Sequence, residues 1–152
     1  MMNLQIITNN SNETKALGKK LGKLLKAGDC VLLNGELGAG KTTFTQGIAS
    51  ALKIKGDVTS PTFVIAREHK SLGEGPNLVH VDAYRLSTLA EISHLDLVTE
   101  IEKAILVVEW GKGLVNDLVA EPIEIKINHD VDDESKREFL ITAKESIIKG
   151  LS

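Results

Sequence analysis

The residue pattern with the clearest chemistry is a glycine-rich stretch that ends in lysine and threonine and matches G-x-x-x-x-G-K-T. Its members are Gly35, Glu36, Leu37, Gly38, Ala39, Gly40, Lys41 and Thr42. Glycines let the backbone curl so that successive N–H groups point into one concavity that binds an anion. In such a loop the lysine reaches the β- and γ-phosphates of a nucleotide, and the threonine hydroxyl binds Mg²⁺. The pattern therefore predicts a P-loop.

The residues on either side of this motif have the properties that a P-loop requires. Residues 30–34 form an apolar run, which is typical of a central parallel strand buried on both faces. A helix is predicted from Lys41, with Phe44, Ile48 and Leu52 on one side. Strand, tight turn and helix together open a βαβ unit, and the helix N-terminus adds its unpaired N–H groups and dipole to the anion site.

Two carboxylates follow predicted strands. Asp82 comes after the apolar run 78–81, and Glu109 comes after the run 105–108. In open α/β sheets, ligands bind outside the carboxyl ends of the strands, where Mg²⁺ needs a ligand and the attacking water must be oriented. The alternative is that each acid caps a neighbouring helix or faces solvent. Beside a P-loop, we favour the functional interpretation for both.

A switch-like segment is predicted after the P-loop helix, at Ser60, Pro61 and Thr62. Many P-loop proteins place a segment that senses the γ-phosphate there. A plain turn followed by a strand explains these residues almost as well. The histidines show no metal-ligand spacing and are interpreted as structural; they are His69, His80, His94 and His129.

The coarse pattern predicts one domain over residues 1–152. Candidate strands are residues 4–7, 30–34, 62–66, 78–82, 105–108, 122–128 and 139–143; candidate helices are residues 10–26, a segment from 41, and 87–95. Ser11 is the predicted cap of the first helix. We expect an α/β fold of the P-loop NTPase type, a three-layer sandwich whose mixed, mostly parallel central sheet has antiparallel edge strands.

Composition and charge exclude several classes of protein. The net charge of −3 argues against a protein that grips nucleic acid unaided, because neutralising phosphates needs a basic surface. A lone cysteine, Cys30, gives no disulfide framework and no thiolate metal cage. The longest apolar runs have about five residues, far short of the roughly 20 that span a membrane. With no secretory signal pattern at the N-terminus, a cytoplasmic location is expected.

The base preference is predicted from an absence in the sequence. GTPases recognise guanine with an N/T-K-x-D element, and the chain contains neither that element nor a D-x-x-G after a strand. This favours ATP as the nucleotide, with Mg²⁺ as its metal.

Four blocks of residues together resemble the TsaE (YjeE) family of small bacterial P-loop ATPases. In order, they are Gly35 to Phe44, Ser60 to Phe63, His80 to Leu86, and Val108 to Trp110. The resemblance implies an ATPase that is needed for the N6-threonylcarbamoyladenosine (t6A) modification of tRNA. In the family, a TsaB–TsaD pair transfers the threonylcarbamoyl group, and the small ATPase docks on that pair. It would therefore meet tRNA only through the complex, and its own hydrolysis would be slow without partners.

The resemblance also implies a role for particular residues. Lys41 and the P-loop amides, continuing to Thr43, would bind phosphates, while Thr42 and Glu109 would hold Mg²⁺. Asp82 would orient the attacking water, and Thr62 would lie in the switch-like segment with Ser60. Further nucleotide contacts would come from Ser11, Lys112 and Arg137.

Two other functions use the same loop. A small-molecule kinase would need a lid with arginines and an acceptor pocket, and the short chain shows nothing lid-like. A non-hydrolysing module that senses nucleotide would bind ATP but show no turnover even with its partners.

Overall fold

The computed structural model describes residues 1–35, 40–54, 66–73, 75–82, 104–109 and 121–152. In these ranges the strands are β1 (Met2–Thr8), β2 (Cys30–Gly35), β3 (Ala66–His69), β4 (Asn77–Asp82), β5 (Ala104–Glu109), β6 (Ile123–His129) and β7 (Arg137–Ala143). The helices are α1 (Ser11–Gly22), α2 (Lys41–Ala51) and α3 (Glu145–Leu151). None of the helices in these ranges is long and apolar enough to cross a membrane.

The strands form one seven-stranded sheet in the order β1-β7-β6-β2-β5-β4-β3. The four central strands, from β6 to β4, pair in parallel. The outer pairs, β1 with β7, β7 with β6, and β3 with β4, are antiparallel. Side chains on both faces of β2 and β5 are buried, as in the middle layer of a sandwich. The predicted fold class is confirmed.

Helix α1 begins at Ser11, the residue that was predicted to cap it, and not at the residue after it. Asn10 has an extended backbone (φ −159°, ψ 172°), and its side-chain oxygen accepts a hydrogen bond from the Glu13 N–H at 2.9 Å. The prediction that Ser11 caps the helix was therefore wrong, and Ser11 is the first helical residue. Asparagine is at least as good a cap as serine, so two adjacent candidates competed and Asn10 has the capping geometry. The helix also ends at Gly22, before the predicted Lys26.

Glycines allow α1 and α2 to pack with their backbones in contact. A Cβ on Gly18 would lie 2.2 Å from the Phe44 carbonyl oxygen, and one on Gly22 would lie 2.7 Å from the Ala51 Cβ. Neither separation leaves room for a side chain. The helix against which Gly18 and Gly22 pack is therefore the P-loop helix α2.

Phe44 and Phe139 join α2 to β7. Their ring centroids lie 5.3 Å apart, tilted at 41°, and both side chains are fully buried. Aromatic pairs at this separation and tilt are attractive beyond the area they bury. Since Phe44 is three residues after Lys41 and Phe139 is two after Arg137, this contact brings the start of β7 close to the start of α2.

Helix α3 was not predicted. Ile147, Ile148 and Leu151 bury one side of it, against the same core that α1 and α2 cover. The predicted helix 87–95 lies outside the described residues, as does the predicted strand 62–66 except for Ala66, where β3 begins.

Candidate functional site

The described ends of the glycine-rich motif are a strand end and a helix start. Gly35 ends β2, and Gly40 precedes α2 with a left-handed backbone (φ +104°), a conformation that favours glycine. The N-terminus of α2 has no side-chain cap, so a bound anion can satisfy its N–H groups. The four residues between the two glycines, Glu36, Leu37, Gly38 and Ala39, lie outside the described residues.

Lys41 connects the two ends of the motif. Its side chain is 7% exposed, and its ammonium donates a hydrogen bond of 2.6 Å to the Gly35 carbonyl oxygen. The Thr45 hydroxyl donates a 2.8 Å hydrogen bond to the Lys41 carbonyl oxygen one turn later. A buried lysine is costly unless it has partners, so a cation held here is placed for strong interaction with an anion.

The two predicted carboxylates occur at the same level of the sheet. Asp82 pairs in register with Glu109, and Glu109 in turn pairs with Leu33 of β2. The carboxyl ends of β4, β5 and the P-loop strand therefore lie side by side. Glu109 is 4% exposed, on the strand next to the P-loop strand. The position of the Asp82 side chain is outside the described part of the structure.

His80 lies beside Glu109. Its side chain is fully buried, and its Nε2 atom is 3.4 Å from the Glu109 Oε2 atom. The orientation does not meet hydrogen-bond geometry, and within the described residues neither ring nitrogen of His80 has a hydrogen-bond partner. The sequence interpretation of His80 as structural did not anticipate this neighbour. The available signal was its position two residues before Asp82 in the same strand.

The residues present fit a magnesium ion. The Glu109 carboxylate and the half-buried Thr42 hydroxyl supply the hard oxygen ligands that Mg²⁺ prefers. Across the described ranges, no three His, Cys, Asp or Glu side chains come together into a metal cage. Mg²⁺ is commonly held by one or two protein ligands together with phosphate oxygens and waters.

A cavity of about 310 Å³ opens beside the start of α2. Its walls come from the start of α1, the start of α2 and the turn before β7. The lining residues are Asn10, Ser11, Thr14, Gly40, Thr43, Glu134, Ser135 and Arg137. Three parts of the chain that are distant in sequence therefore meet at the helical end of the glycine-rich motif.

Gly40 lies between α1 and β7 in this cavity. A Cβ on Gly40 would be 3.8 Å from the Thr14 methyl group and 3.9 Å from the Arg137 Nε atom. The Arg137 guanidinium donates hydrogen bonds to the Glu134 carbonyl oxygen and, at 3.0 Å, to the Lys136 carbonyl oxygen. These bonds hold the arginine at the cavity edge, so a positive charge lies beside the motif.

Several predicted site residues meet in the structure, and others lie outside its described part. Ser11, Gly40, Thr43 and Arg137 line one cavity, while Glu109 is in register with Asp82. Ser60, Thr62 and Lys112 fall outside the described residues. Sequence reasoning missed four lining residues: Asn10, Thr14, Glu134 and Ser135. Of these, Thr14 could have been found from Ser11, because residues three apart on a helix share a face.

Comparison with known proteins gives one consistent result. The family profile described as "Threonylcarbamoyl adenosine biosynthesis protein TsaE" matches residues 8–139. A Streptomyces coelicolor protein named tRNA threonylcarbamoyladenosine biosynthesis protein TsaE is 55% identical over 120 residues, covering 78% of this chain and 81% of the relative. A Bacillus subtilis protein of the same name is 41% identical, covering 94% of this chain and 87% of the relative.

A solved structure extends the likeness to three dimensions. The crystal structure of Bacillus subtilis YdiB superposes with a TM-score of 0.73 at 34% sequence identity, covering 99% of this chain and 94% of that one. The matched range 8–139 includes both ends of the glycine-rich motif, both carboxylates and Arg137. The chain belongs to the TsaE family of threonylcarbamoyl adenosine biosynthesis proteins.

Proposed function

We propose that this protein is a Mg²⁺-dependent ATPase that acts with TsaB and TsaD homologues in forming t6A on tRNA. The observation that carries the ATPase part is that Lys41 is bonded to the end of the P-loop strand at Gly35 and that Glu109 ends the adjacent strand. Phosphoryl transfer from a magnesium nucleotide requires a cation for the phosphates and a carboxylate for the metal, and these two residues would supply them.

The phosphates would be bound by the chain itself. The N–H groups at the start of α2 and the Lys41 ammonium neutralise the charge of the β- and γ-phosphates. Arg137 and Ser11 border the cavity beside Gly40, where the rest of the nucleotide would lie. The Thr42 hydroxyl and the Glu109 carboxylate would hold Mg²⁺, which when bound neutralises charge on the phosphate oxygens.

The hydrolytic step needs an oriented water molecule. We assign its orientation to Asp82, which is in register with Glu109 on the next strand. The water oxygen attacks the γ-phosphorus, the bond to the bridging oxygen breaks, and ADP and inorganic phosphate result. Lys41 and the N-terminus of α2 stabilise the negative charge on the phosphoryl group as it is transferred. P-loop hydrolases that lack a well-placed arginine are slower by about 10³ to 10⁵, so slow turnover by the free protein is part of the proposal.

The pathway and partners are proposed from the family relationship and the charge. The relatives are named for tRNA threonylcarbamoyladenosine biosynthesis. A net charge of −3 does not suit a subunit that binds tRNA alone. The TsaB–TsaD pair would then hold the tRNA in the cytoplasm, and this subunit would hydrolyse ATP to support repeated turnover.

The experiment is a comparison of phosphate release by the free protein and by its assembly with the TsaB–TsaD pair and tRNA. The free protein should hydrolyse ATP slowly, the assembly faster, and Mg²⁺ chelation should stop both. The t6A nucleoside in digested tRNA is measured in the same samples. ATP binding without phosphate release in the assembly would identify a nucleotide sensor instead, and a phosphorylated small-molecule acceptor would identify a kinase.

A further inference from the structure

His80 is a buried polar group near the middle of β4. On its strand, Leu78 and Val81 are buried, and its register partners are Arg67 of β3 and the buried Val107 of β5. The imidazole is fully buried, and neither of its nitrogens has a hydrogen-bond partner in the part of the chain that the structure describes. An unsatisfied buried polar group costs free energy that an aliphatic side chain would avoid. The residue therefore calls for an explanation other than filling the core.

The contact of His80 with Glu109 gives that explanation. The His80 Nε2 atom lies 3.4 Å from Oε2 of Glu109, whose carboxylate is 4% exposed. That separation is just beyond the usual N–H···O range of about 2.7–3.2 Å, so a small approach of the two side chains would form a hydrogen bond from Nε2–H to Oε2. The contact is between two buried residues on adjacent strands.

We propose that His80 is a positioning residue for the Glu109 carboxylate. The imidazole donates its Nε2–H to Oε2, which would fix the carboxylate in the orientation from which it could bind Mg²⁺. Carboxylates that bind metals are commonly held by such outer partners, whose loss costs about 10- to 100-fold in metal affinity or activity. The inference rests on the proposed function, because it assigns His80 to the same magnesium site.

A residue that only fills the core predicts different behaviour. Replacing it would alter stability, and nucleotide affinity would change equally with and without Mg²⁺. Replacing a positioning residue changes only the dependence of nucleotide affinity on Mg²⁺. A replacement side chain that keeps the hydrogen-bond donor restores that dependence. The His80→Leu variant removes the donor and keeps the bulk, whereas His80→Gln keeps an amide N–H near the place of Nε2.

The test is a titration with Mg²⁺ in which a fluorescent ATP analogue reports nucleotide binding. His80→Leu should raise the Mg²⁺ concentration for half-maximal binding about tenfold. Its affinity for the nucleotide in EDTA should stay within about twofold, and His80→Gln should recover most of the loss. The matched control is His69→Leu, a second buried histidine, which pairs with Leu78 at the other end of β4. Wild-type magnesium dependence in His80→Leu overturns the proposal.

A second measurement does not require a variant to fold or the protein to bind nucleotide. Nitrogen-15 NMR of the imidazole in the metal-free wild-type protein should show the His80 proton on Nε2, in slow exchange with water. A proton on Nδ1 overturns the proposal. If wild-type nucleotide binding does not respond to Mg²⁺ at all, the proposed function fails, while the tautomer still tests the His80–Glu109 contact.

Discussion

Gly47 of α2 touches the backbone of α1 at Gly18. A Cβ on Gly47 would lie 2.1 Å from the Lys15 carbonyl oxygen and 3.0 Å from the Gly18 Cα atom. The helix that starts at the P-loop is thus packed directly on the helix whose first residues line the cavity. Because the contact is between backbones, Ser11 and Lys41 are held in a fixed relationship by the two helices that carry them.

The first prediction concerns this contact. Alanine normally stabilises a helix relative to glycine by about 1 kcal/mol. At Gly47 the added methyl group meets backbone atoms that cannot move aside, so Gly47→Ala should lower the free energy of unfolding by about 3 kcal/mol. Urea denaturation of the variant and the wild type measures this difference in the free energy of unfolding.

Gly75→Ala is the control, because the nearest atom to its Cβ would be 3.8 Å away. This control should unfold at nearly the wild-type urea concentration. A Gly47→Ala variant as stable as wild type would show that the two helices do not pack as described.

The second prediction concerns the buried cation. Lys41→Met should weaken ATP binding by about 100-fold, which is the scale of losing a charge-assisted hydrogen bond to phosphate. The measurement is a titration with a fluorescent ATP analogue. Lys149→Met is a matched loss of one positive charge, since Lys149 is 71% exposed and pairs with Glu145 on α3. Equal affinities for the two variants would remove Lys41 from the phosphate site.

The third prediction concerns the cavity edge. Arg137→Met should weaken the binding of both ATP and ADP by about tenfold, because the guanidinium lies beside Gly40. The loss is no larger because backbone carbonyl groups already use part of the hydrogen-bonding capacity of the guanidinium. The effect should be the same with and without Mg²⁺. Lys136→Met, which removes a partly exposed charge paired with Asp130 at 3.9 Å, should leave affinity unchanged. A loss seen only with Mg²⁺ would assign Arg137 to the metal end of the site.

The fourth prediction concerns Cys30. Burial, with a smaller contribution from the Asp29 charge, raises the pKa of this thiol from 9.0 to about 12. Native protein at pH 8 should therefore resist a thiol reagent, and denatured protein should react at once. The unfolded chain loses this proton first as pH rises, so the thiol's contribution to stability is complete below pH 9 and declines between pH 9 and about 12. Rapid labelling of the native protein would contradict the burial.

The local elements were predictable from the sequence because their signals are local. The apolar run 30–34 became β2, and the predicted strand 122–128 became β6, along which buried residues alternate with more exposed ones. Helix α3 has only seven residues, one of them Gly150, and this is too little for a periodic signal to stand out. The exchange of Ser11 for Asn10 as cap shows the same limit, since both residues are good caps.

The arrangement of the site depends on strand order, which local patterns do not determine. Asp82 and Glu109 were each predicted at a strand end, yet their pairing follows from β4 and β5 being neighbours. The proximity of His80 to Glu109 has the same origin. Arg137 was placed by resemblance alone, and its position beside Gly40 depends on the contact between Phe44 and Phe139.

The most direct test of the account is the rate of phosphate release from Mg-ATP by Glu109→Gln, measured in the assembly with the TsaB–TsaD pair. A thermal melt close to wild type establishes that the variant is folded. Glu109→Gln keeps the shape of the side chain and removes its charge, so the rate should fall by about 10² or more, and Asp82→Asn should behave alike. Near-normal hydrolysis in both variants would contradict the assignment of the two carboxylates and, with it, the proposed catalytic site.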